Sequence, residues 1–148
     1  MQVKDVMTPT PACCTADTSL EEVANLMVEN DCGAIPVVDS DDSKKPVGLI
    51  TDRDIVCRAV AEGLNPLELT ANDCMTSDVL TVTEQSSFEE CCRLMEEKQV
   101  RRVPVVDANG SCVGIVALAD VAREGRKTTA GEVVKEVSNP TASAASAT

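Results

Sequence analysis

Two acidic residues, each one helical turn beyond a predicted buried strand, carry the clearest chemistry in the sequence. Asp54 ends the run Gly48-Leu49-Ile50-Thr51-Asp52-Arg53-Asp54, and Asp120 ends the matching run Gly114-Ile115-Val116-Ala117-Leu118-Ala119-Asp120. A helix N-terminus presents free N–H groups and partial positive charge, so it favours phosphate. A carboxylate one turn into the helix can accept two hydrogen bonds from a ribose diol. The pattern therefore indicates a ligand that carries ribose and phosphate.

Helix capping is the alternative explanation for the same residues. Thr51 and Asp54 fit a capping pair that needs no ligand. In the second run Ala117 replaces the hydroxyl residue, yet Asp120 remains. An acid near a helix start is favourable by itself, so the second run favours the ligand interpretation without deciding it.

The residue types of the chain do not indicate catalysis. The chain has no His, no Gly-rich phosphate loop and no Ser or Cys nucleophile beside a base. General acid–base and nucleophilic mechanisms need such groups within hydrogen-bond reach of each other. We therefore expect that the protein is not an enzyme.

The cysteines are expected to be free, buried core residues. They lack Cys-x-x-Cys spacing and His partners, so zinc is not indicated, and we predict no metal site and no cofactor. No Lys, Arg or His flanks the pair Cys13-Cys14, so a lowered thiol pKa is not expected there. Free Cys commonly packs as a small hydrophobe. The eight cysteines are Cys13, Cys14, Cys32, Cys57, Cys74, Cys91, Cys92 and Cys112.

Charge and composition exclude several classes of partner. The formal net charge is −12 and Phe88 is the single aromatic residue. Nucleic-acid binders need a basic face, and single-strand binders also need aromatic side chains. Anionic membrane surfaces would repel the chain. No apolar run reaches the length of a membrane span, and the first residues do not resemble a signal peptide. We expect a cytoplasmic protein.

The two acidic runs belong to a repeat that covers most of the chain. Sliding the sequence by 68 residues aligns Asp5-Val6-Met7-Thr8 with Asp73-Cys74-Met75-Thr76. It also aligns Pro36-Val37-Val38-Asp39 with Pro104-Val105-Val106-Asp107, and the acidic runs align after a slightly shorter loop in the second copy. Matches in one register along the whole unit indicate a true internal repeat.

Each copy predicts strand, helix, strand, strand, helix, so the fold class is α/β (α+β) with two βαββα repeats. Both first helices carry an apolar stripe and a predicted capping box, Thr18 with Glu21 and Ser86 with Glu89. The stripes are Leu20, Val23, Ala24 and Met27 in the first copy and Phe88, Cys91, Cys92 and Met95 in the second. The predicted strands are 12–15, 34–38 and 47–51, then 79–83, 102–106 and 112–117, and second helices begin near Asp52 and Leu118.

Helix-breaking residues and changes in composition divide the chain into four parts. We assign residues 1–62 to the first repeat, 63–72 to a linker and 73–125 to the second repeat. Asn65-Pro66 breaks the preceding helix. Residues 126–148 are expected to form a flexible tail, with one weak helix over 131–137 and a disordered end of Ala, Ser and Thr.

The repeated motifs resemble the cystathionine-β-synthase-type (CBS) domain. In the first copy the resemblance rests on Val6-Met7-Thr8, Ile35-Pro36-Val37-Val38-Asp39 and the run ending at Asp54. In the second copy it rests on Cys74-Met75-Thr76, the segment 101–107 and the run ending at Asp120. The resemblance implies a tandem pair, or Bateman module, in which two three-stranded sheets pack about a pseudo-twofold axis. Such pairs commonly bind adenosine compounds and regulate another protein.

The resemblance also implies crossed clefts, in which the acid of one copy faces strands of the other. In the first cleft Asp54 would hold the ribose hydroxyls, Thr51 the ribose or first phosphate, and Arg101 or Arg102 the phosphate. The apolar edge at Val103 would cover the adenine. The full set is Thr51, Arg53, Asp54, Thr81, Thr83, Arg101, Arg102, Val103 and Pro104. For the arginines, a solvated strand end is an equal alternative.

The second cleft departs from the motif. It would combine Asp120 with Thr15, Gly33, Ala34, Ile35 and Pro36. Ala117 replaces the hydroxyl residue, and Gly33-Ala34 stand where the arginines would be, so the cleft is expected to be empty, weaker or suited to a nucleoside.

These observations predict a stand-alone regulatory module that binds AMP, ADP or ATP and signals to a partner protein whose identity the sequence does not give. The family also implies a homodimer formed through the second helices. A ligand-free interaction scaffold and a sensor of an S-adenosylmethionine-type ligand remain the alternatives.

Overall fold

The computed structural model describes residues 1–124 and confirms a mixed α/β fold with two small sheets. The predicted tail over 126–148, with its weak helix over 131–137, lies outside the described residues. Short 3-10 turns span Val3–Asp5 and Pro66–Glu68, and a π-helical turn spans Val56–Val60. The strands are β1 (Thr8–Pro9), β2 (Cys14–Thr15), β3 (Ala34–Val38), β4 (Pro46–Thr51), β5 (Val82–Thr83), β6 (Arg102–Val106) and β7 (Cys112–Ala117). The helices are α1 (Leu20–Glu29), α2 (Asp52–Ile55), α3 (Ala71–Cys74), α4 (Phe88–Lys98) and α5 (Leu118–Glu124).

The two sheets have related topologies. One sheet has the order β2-β3-β4 and the other β1-β7-β6-β5. In each, a short first strand runs parallel to the Pro-containing strand, with Cys14 opposite Val37 and Val82 opposite Val105. The second sheet has four strands rather than the expected three because β1 pairs antiparallel with β7. In the first sheet the equivalent contact is a single bridge, in which Leu49 and Thr76 exchange two hydrogen bonds of 2.9 Å.

The compact units of the structure differ from the repeats of the sequence. Among the described residues, one unit contains Met1–Pro9, Leu80–Ala108 and residues 113–124, and the other contains Thr10–Val79 and Asn109–Cys112. The segment that precedes the first strand of each copy therefore packs with the core of the other copy. Part of the expected linker is also ordered on the first copy, since Leu20 N–H donates to Leu69 O at 3.0 Å.

The Met-Thr motif of each copy packs against the strand glycine of the other copy. A Cβ on Gly48 would lie 2.8 Å from Met75 Sδ and 3.0 Å from Thr76 O. A Cβ on Gly114 would clash with Met7 Sδ and would lie 3.2 Å from Thr8 O. Each glycine leaves room for a methionine from the segment that crosses its strand, so the two motif halves form one packing contact.

We predict that Gly114→Ala and Gly48→Ala each destabilise the protein by about 1–3 kcal/mol, since both overpack a fitted contact. Urea denaturation of each variant measures the effect. The double variant Gly114→Ala with Met7→Ala, which removes the clashing side chain, is the control. An effect of the same size in the Met7→Ala background would contradict the contact as the cause.

The cores use the predicted stripes with one correction. Leu20, Val23 and Met27 are buried on α1, and all four predicted residues of α4 are buried. Ala24 was wrongly placed in the stripe: it is exposed, and Leu26 packs against the core instead. The first core comprises Cys14, Leu20, Val23, Met27, Ile35, Val37, Ile50, Ala59, Ala71 and Cys74, and the second comprises Val3, Val6, Val82, Phe88, Cys91, Cys92, Met95, Val103, Val105, Val116 and Val121.

The helix caps lie one residue later than predicted. Ser19 and Ser87 cap α1 and α4 by accepting the N–H groups of Glu22 and Glu90 at 3.2 and 3.0 Å. Thr18 and Ser86 fail as caps because their hydroxyls accept the N–H groups of Thr15 and Thr83 at 3.0 and 3.1 Å. These hydroxyls close the turn between strand and helix.

Candidate functional site

The first strand-to-helix corner is held by a reciprocal capping box at the junction of β4 and α2. Asp54 N–H donates to Thr51 Oγ1 at 3.0 Å, and Thr51 N–H donates to Asp54 Oδ2 at 2.9 Å. Asp52 N–H donates to Gly33 O at 3.0 Å and so ties the corner to the start of β3. The capping explanation is therefore correct for Thr51 and for one oxygen of Asp54.

The second corner, between β7 and α5, has the same backbone plan. Leu118 N–H donates to Arg101 O at 2.8 Å, the counterpart of the bond from Asp52 to Gly33. Asp120 Oδ2 accepts the N–H of Ala117 at 2.9 Å. Asp120 thus caps without a threonine partner, and its presence beside Ala117 does not by itself favour a ligand.

The remaining carboxylate oxygens distinguish the two corners. Asp120 is only 5% exposed, and its Oδ1 forms an ion pair with Arg123. Asp54 is half-buried, and no hydrogen bond reaches its Oδ1 within residues 1–124. Asp54 therefore keeps one oxygen for a ligand, whereas both oxygens of Asp120 are engaged. The i,i+3 spacing of Asp120 and Arg123 is the sequence signal that would have indicated this ion pair.

Three arginines of the predicted first cleft have free guanidinium groups. Arg53 and Arg101 are exposed and Arg102 is half-buried. In the part of the chain that the structure describes, none of them forms an ion pair. In a chain of net charge −12, unpaired guanidinium groups are the groups best suited to an anionic ligand.

The threonines of the first strands have local partners. Thr83 Oγ1 lies 2.9 Å from Ser86 Oγ, and Thr15 Oγ1 lies 3.2 Å from Thr18 Oγ1. Thr83 and Thr81 are exposed and Thr15 is half-buried. A hydroxyl has one donor and two acceptor positions, so each can still bind a further group.

The apolar strand residues of the two predicted clefts have buried side chains. Val103 and Ile35 are fully buried in the cores of their own units, and Pro104, Pro36 and Ala34 are buried as well. The Val103 side chain faces the core of its own unit, so the strand edge that we expect to cover an adenine ring would present backbone atoms there. Only the backbone of these segments is left for recognition.

The structure explains why position 33 is a glycine, which the sequence did not reveal. A Cβ at this position would lie 3.0 Å from Asp52 Oδ2. Together with Asp31, Cys32 and Asp52, Gly33 lines an open depression. Two carboxylates beside this position disfavour a phosphate there, and the weaker second site stays a prediction.

The cysteines divide into three environments. Burial raises the pKa of the Cys14 and Cys91 thiols to about 12 and that of Cys92 to about 11. Cys74 and Cys112 are also buried, whereas Cys32 and Cys57 are exposed, so the core-residue prediction holds for five of the eight. The expectation for Cys13 was wrong: a hydrogen bond from the Cys112 thiol, with a smaller effect of Lys44, lowers its pKa.

No group of three or more Cys, Asp or Glu side chains within residues 1–124 is placed to hold a metal ion. No helix among them is both long enough and apolar enough to cross a membrane.

Comparison with known proteins identifies the repeat. The family model described as the CBS domain matches the chain twice, over residues 3–60 and 71–127. The chain belongs to the CBS domain family. Its two matches make it a tandem CBS pair, and solved CBS-pair structures share its fold.

The relatives of this CBS pair are small proteins and parts of larger ones. Hypoxic response protein 1 of Mycobacterium tuberculosis is 37% identical over 139 residues, which cover 94% of this chain and 95% of that protein. Its crystal structure, with two coordinated zinc ions, has a TM-score of 0.74 and covers 85% of this chain and 100% of that one. The uncharacterized protein MK0525 of Methanopyrus kandleri is 39% identical over 80% of this chain, but the match spans only 57% of that protein.

Two related CBS pairs have been solved with adenosine compounds. CBSX2 of Arabidopsis thaliana in complex with AMP is 31% identical, with a TM-score of 0.69, over 82% of this chain and 93% of that one. The CBS domain pair of MJ0100, in complex with 5′-methylthioadenosine and S-adenosyl-L-methionine, is 30% identical, with a TM-score of 0.73, over 83% of this chain and 94% of that one. CBS pairs of this kind therefore bind nucleotides or S-adenosylmethionine-like ligands.

Proposed function

We propose that this CBS pair is a regulatory module that binds an adenine nucleotide, AMP, ADP or ATP, and signals its presence to a partner protein. The observation that carries the proposal is the free Oδ1 of half-buried Asp54, one turn into α2, where it can accept the ribose hydroxyls. The AMP complex of CBSX2 supports the ligand class. Binding would act by population shift between two arrangements with different nucleotide affinities.

The arginines favour a phosphorylated ligand over an S-adenosylmethionine-type one. Arg53 and Arg101 are exposed and unpaired among the described residues, and S-adenosylmethionine carries no phosphate for them to bind. The family resemblance assigns the ribose to Asp54 and Thr51 and the phosphate to Arg101 and Arg102. The proposal keeps that assignment, together with Thr81, Thr83 and the backbone at Val103 and Pro104.

We also propose that the protein is a cytoplasmic homodimer. Val56, Val60, Leu64 and Leu67 are 50–65% exposed on the second helix of the first copy and the segment after it. Apolar side chains this exposed are typical of an interface between subunits. The eight free thiols are in keeping with a reducing compartment.

An ultraviolet spectrum of the purified protein tests the proposed function directly. The chain has no Trp and no Tyr, so it absorbs almost nothing at 280 nm, and bound adenine would dominate near 260 nm. Calorimetry with AMP, ATP and S-adenosylmethionine then identifies the ligand. Light scattering on the same sample gives the number of subunits. Binding of S-adenosylmethionine in preference to AMP would replace the proposed ligand, and binding of neither would favour the ligand-free scaffold.

A further inference from the structure

Arg123 occupies the carboxylate that the second copy would offer to a ligand. Its guanidinium forms an ion pair with Asp120 Oδ1, and Asp120 Oδ2 accepts the N–H of Ala117 at 2.9 Å. The three residues belong to one compact unit. The Asp120 side chain is 7% exposed and that of Arg123 is 66% exposed. An exposed guanidinium is thus paired with a carboxylate that solvent hardly reaches.

The first copy has no arginine at the equivalent position. Cys57 lies three residues beyond Asp54, as Arg123 lies three residues beyond Asp120. Cys57 is exposed, and within residues 1–124 no hydrogen bond reaches Asp54 Oδ1. Both acids accept the N–H of the residue three positions earlier, so their first oxygens have the same role. The residue one turn later therefore explains why only Asp120 has its second oxygen occupied.

The guanidinium is a stronger partner for Asp120 than a ribose would be. It brings a full positive charge together with its N–H donors, whereas a ribose diol offers hydrogen bonds without charge. Arg123 also lies on the same helix as Asp120, so their pairing costs no translational freedom, whereas the binding of a separate molecule does. The ion pair therefore competes with any ribose for this carboxylate.

We propose that Arg123 closes the second nucleotide site of this CBS pair by taking the place of the ribose at Asp120. The inference rests on the proposed function, in which Asp54 binds the ribose at the equivalent position of the first copy. Arg123 is thus a specificity-determining residue, because it limits binding to one nucleotide per chain. A single substitution at this position opens the site.

Calorimetry of the full-length protein with AMP and adenosine tests the proposal. Arg123→Cys installs the residue of the first copy and frees Asp120 Oδ1, so the variant should bind two nucleotides per chain where the wild type binds one. Adenosine has no phosphate and therefore excludes an effect of the lost positive charge. In the Asp54→Asn background, which weakens the first site, the gained binding is measured without overlap, and Asp120→Asn should remove it again.

The reverse substitution tests the same idea at the first corner. Cys57→Arg places a guanidinium three residues beyond Asp54, and the backbone of Ile55 and Val56 is helical, so the two side chains can meet. AMP binding should weaken about 10- to 100-fold, as expected for the loss of a hydrogen bond to a charged group. Cys57→Met, which has a long side chain without charge or donor, is the matched control and should keep the wild-type affinity.

The outcomes separate this proposal from the proposed function. If the wild type binds one AMP per chain and a folded Arg123→Cys still binds one, closure by Arg123 is wrong. It is also wrong if the wild type binds two and Arg123→Cys loses one, because Arg123 would then bind phosphate. If thermal unfolding shows that Arg123→Cys does not fold, an unchanged AMP affinity in Cys57→Arg overturns the proposal. A wild type that binds neither AMP nor adenosine contradicts the proposed function; adenosine binding by Arg123→Cys would still support closure, and its absence would contradict closure as well.

Discussion

Asp54→Asn is expected to weaken nucleotide binding about 10- to 100-fold. Hydrogen bonds to charged groups are worth about 1.5–3 kcal/mol, and about 1.4 kcal/mol corresponds to a factor of ten. The amide can still accept the Thr51 N–H that Asp54 Oδ2 accepts at 2.9 Å, so the cap is retained better than in Asp54→Ala. Calorimetry with AMP and adenosine measures the change, and thermal unfolding checks that the variant is folded.

Two companion variants divide the contact into ribose and phosphate contributions. Arg101→Ala should weaken AMP binding about tenfold and leave adenosine almost unchanged, since only the phosphate loses a partner. Asp54→Asn should weaken both ligands. Asp120→Asn is the matched control: Arg123 already occupies Oδ1 of Asp120, so nucleotide affinity should change little. If Asp120→Asn abolishes binding and Asp54→Asn does not, the assignment of the two sites is reversed.

Phe88→Ala is expected to lower the free energy of unfolding by about 3–5 kcal/mol, the range for removal of a buried aromatic side chain. Phe88 is 4% exposed and lies at the start of α4 within the second core. It is the single aromatic residue of the chain, so no neighbouring ring can fill the cavity. Urea denaturation followed by circular dichroism measures the loss.

The repeat supplies a matched control for this variant. Leu20 holds the equivalent position at the start of α1 and is 2% exposed. Phe88→Leu therefore installs the residue that the first copy uses, and we expect a cost of about 1–1.5 kcal/mol. If Phe88→Ala costs no more than Phe88→Leu, the second core does not depend on the size of this side chain.

Local pattern was enough to predict most of the elements. Ala34–Val38, Arg102–Val106 and Cys112–Ala117 have their predicted bounds, and helices begin at Asp52 and Leu118 as expected. These features depend on side-chain periodicity and on residues a few positions apart, which a sequence shows directly. The caps were misplaced by one residue because Thr18 and Ser19 can both accept an N–H group, and only the turn geometry assigns each hydroxyl its donor.

The tandem repeat, the family, the βαββα order and the two acidic corners could all be inferred from the order of the residues alone. The packed fold was needed to show that Met1–Pro9 joins the second copy's unit, and that Arg123 occupies Asp120 while Asp54 keeps a free oxygen. The first of these joins residues far apart in the chain, and such a contact leaves no periodic pattern in the sequence. The Asp120–Arg123 pair is close in sequence, but the burial that makes the pairing necessary is set by the packed unit, since a buried carboxylate without a partner is costly.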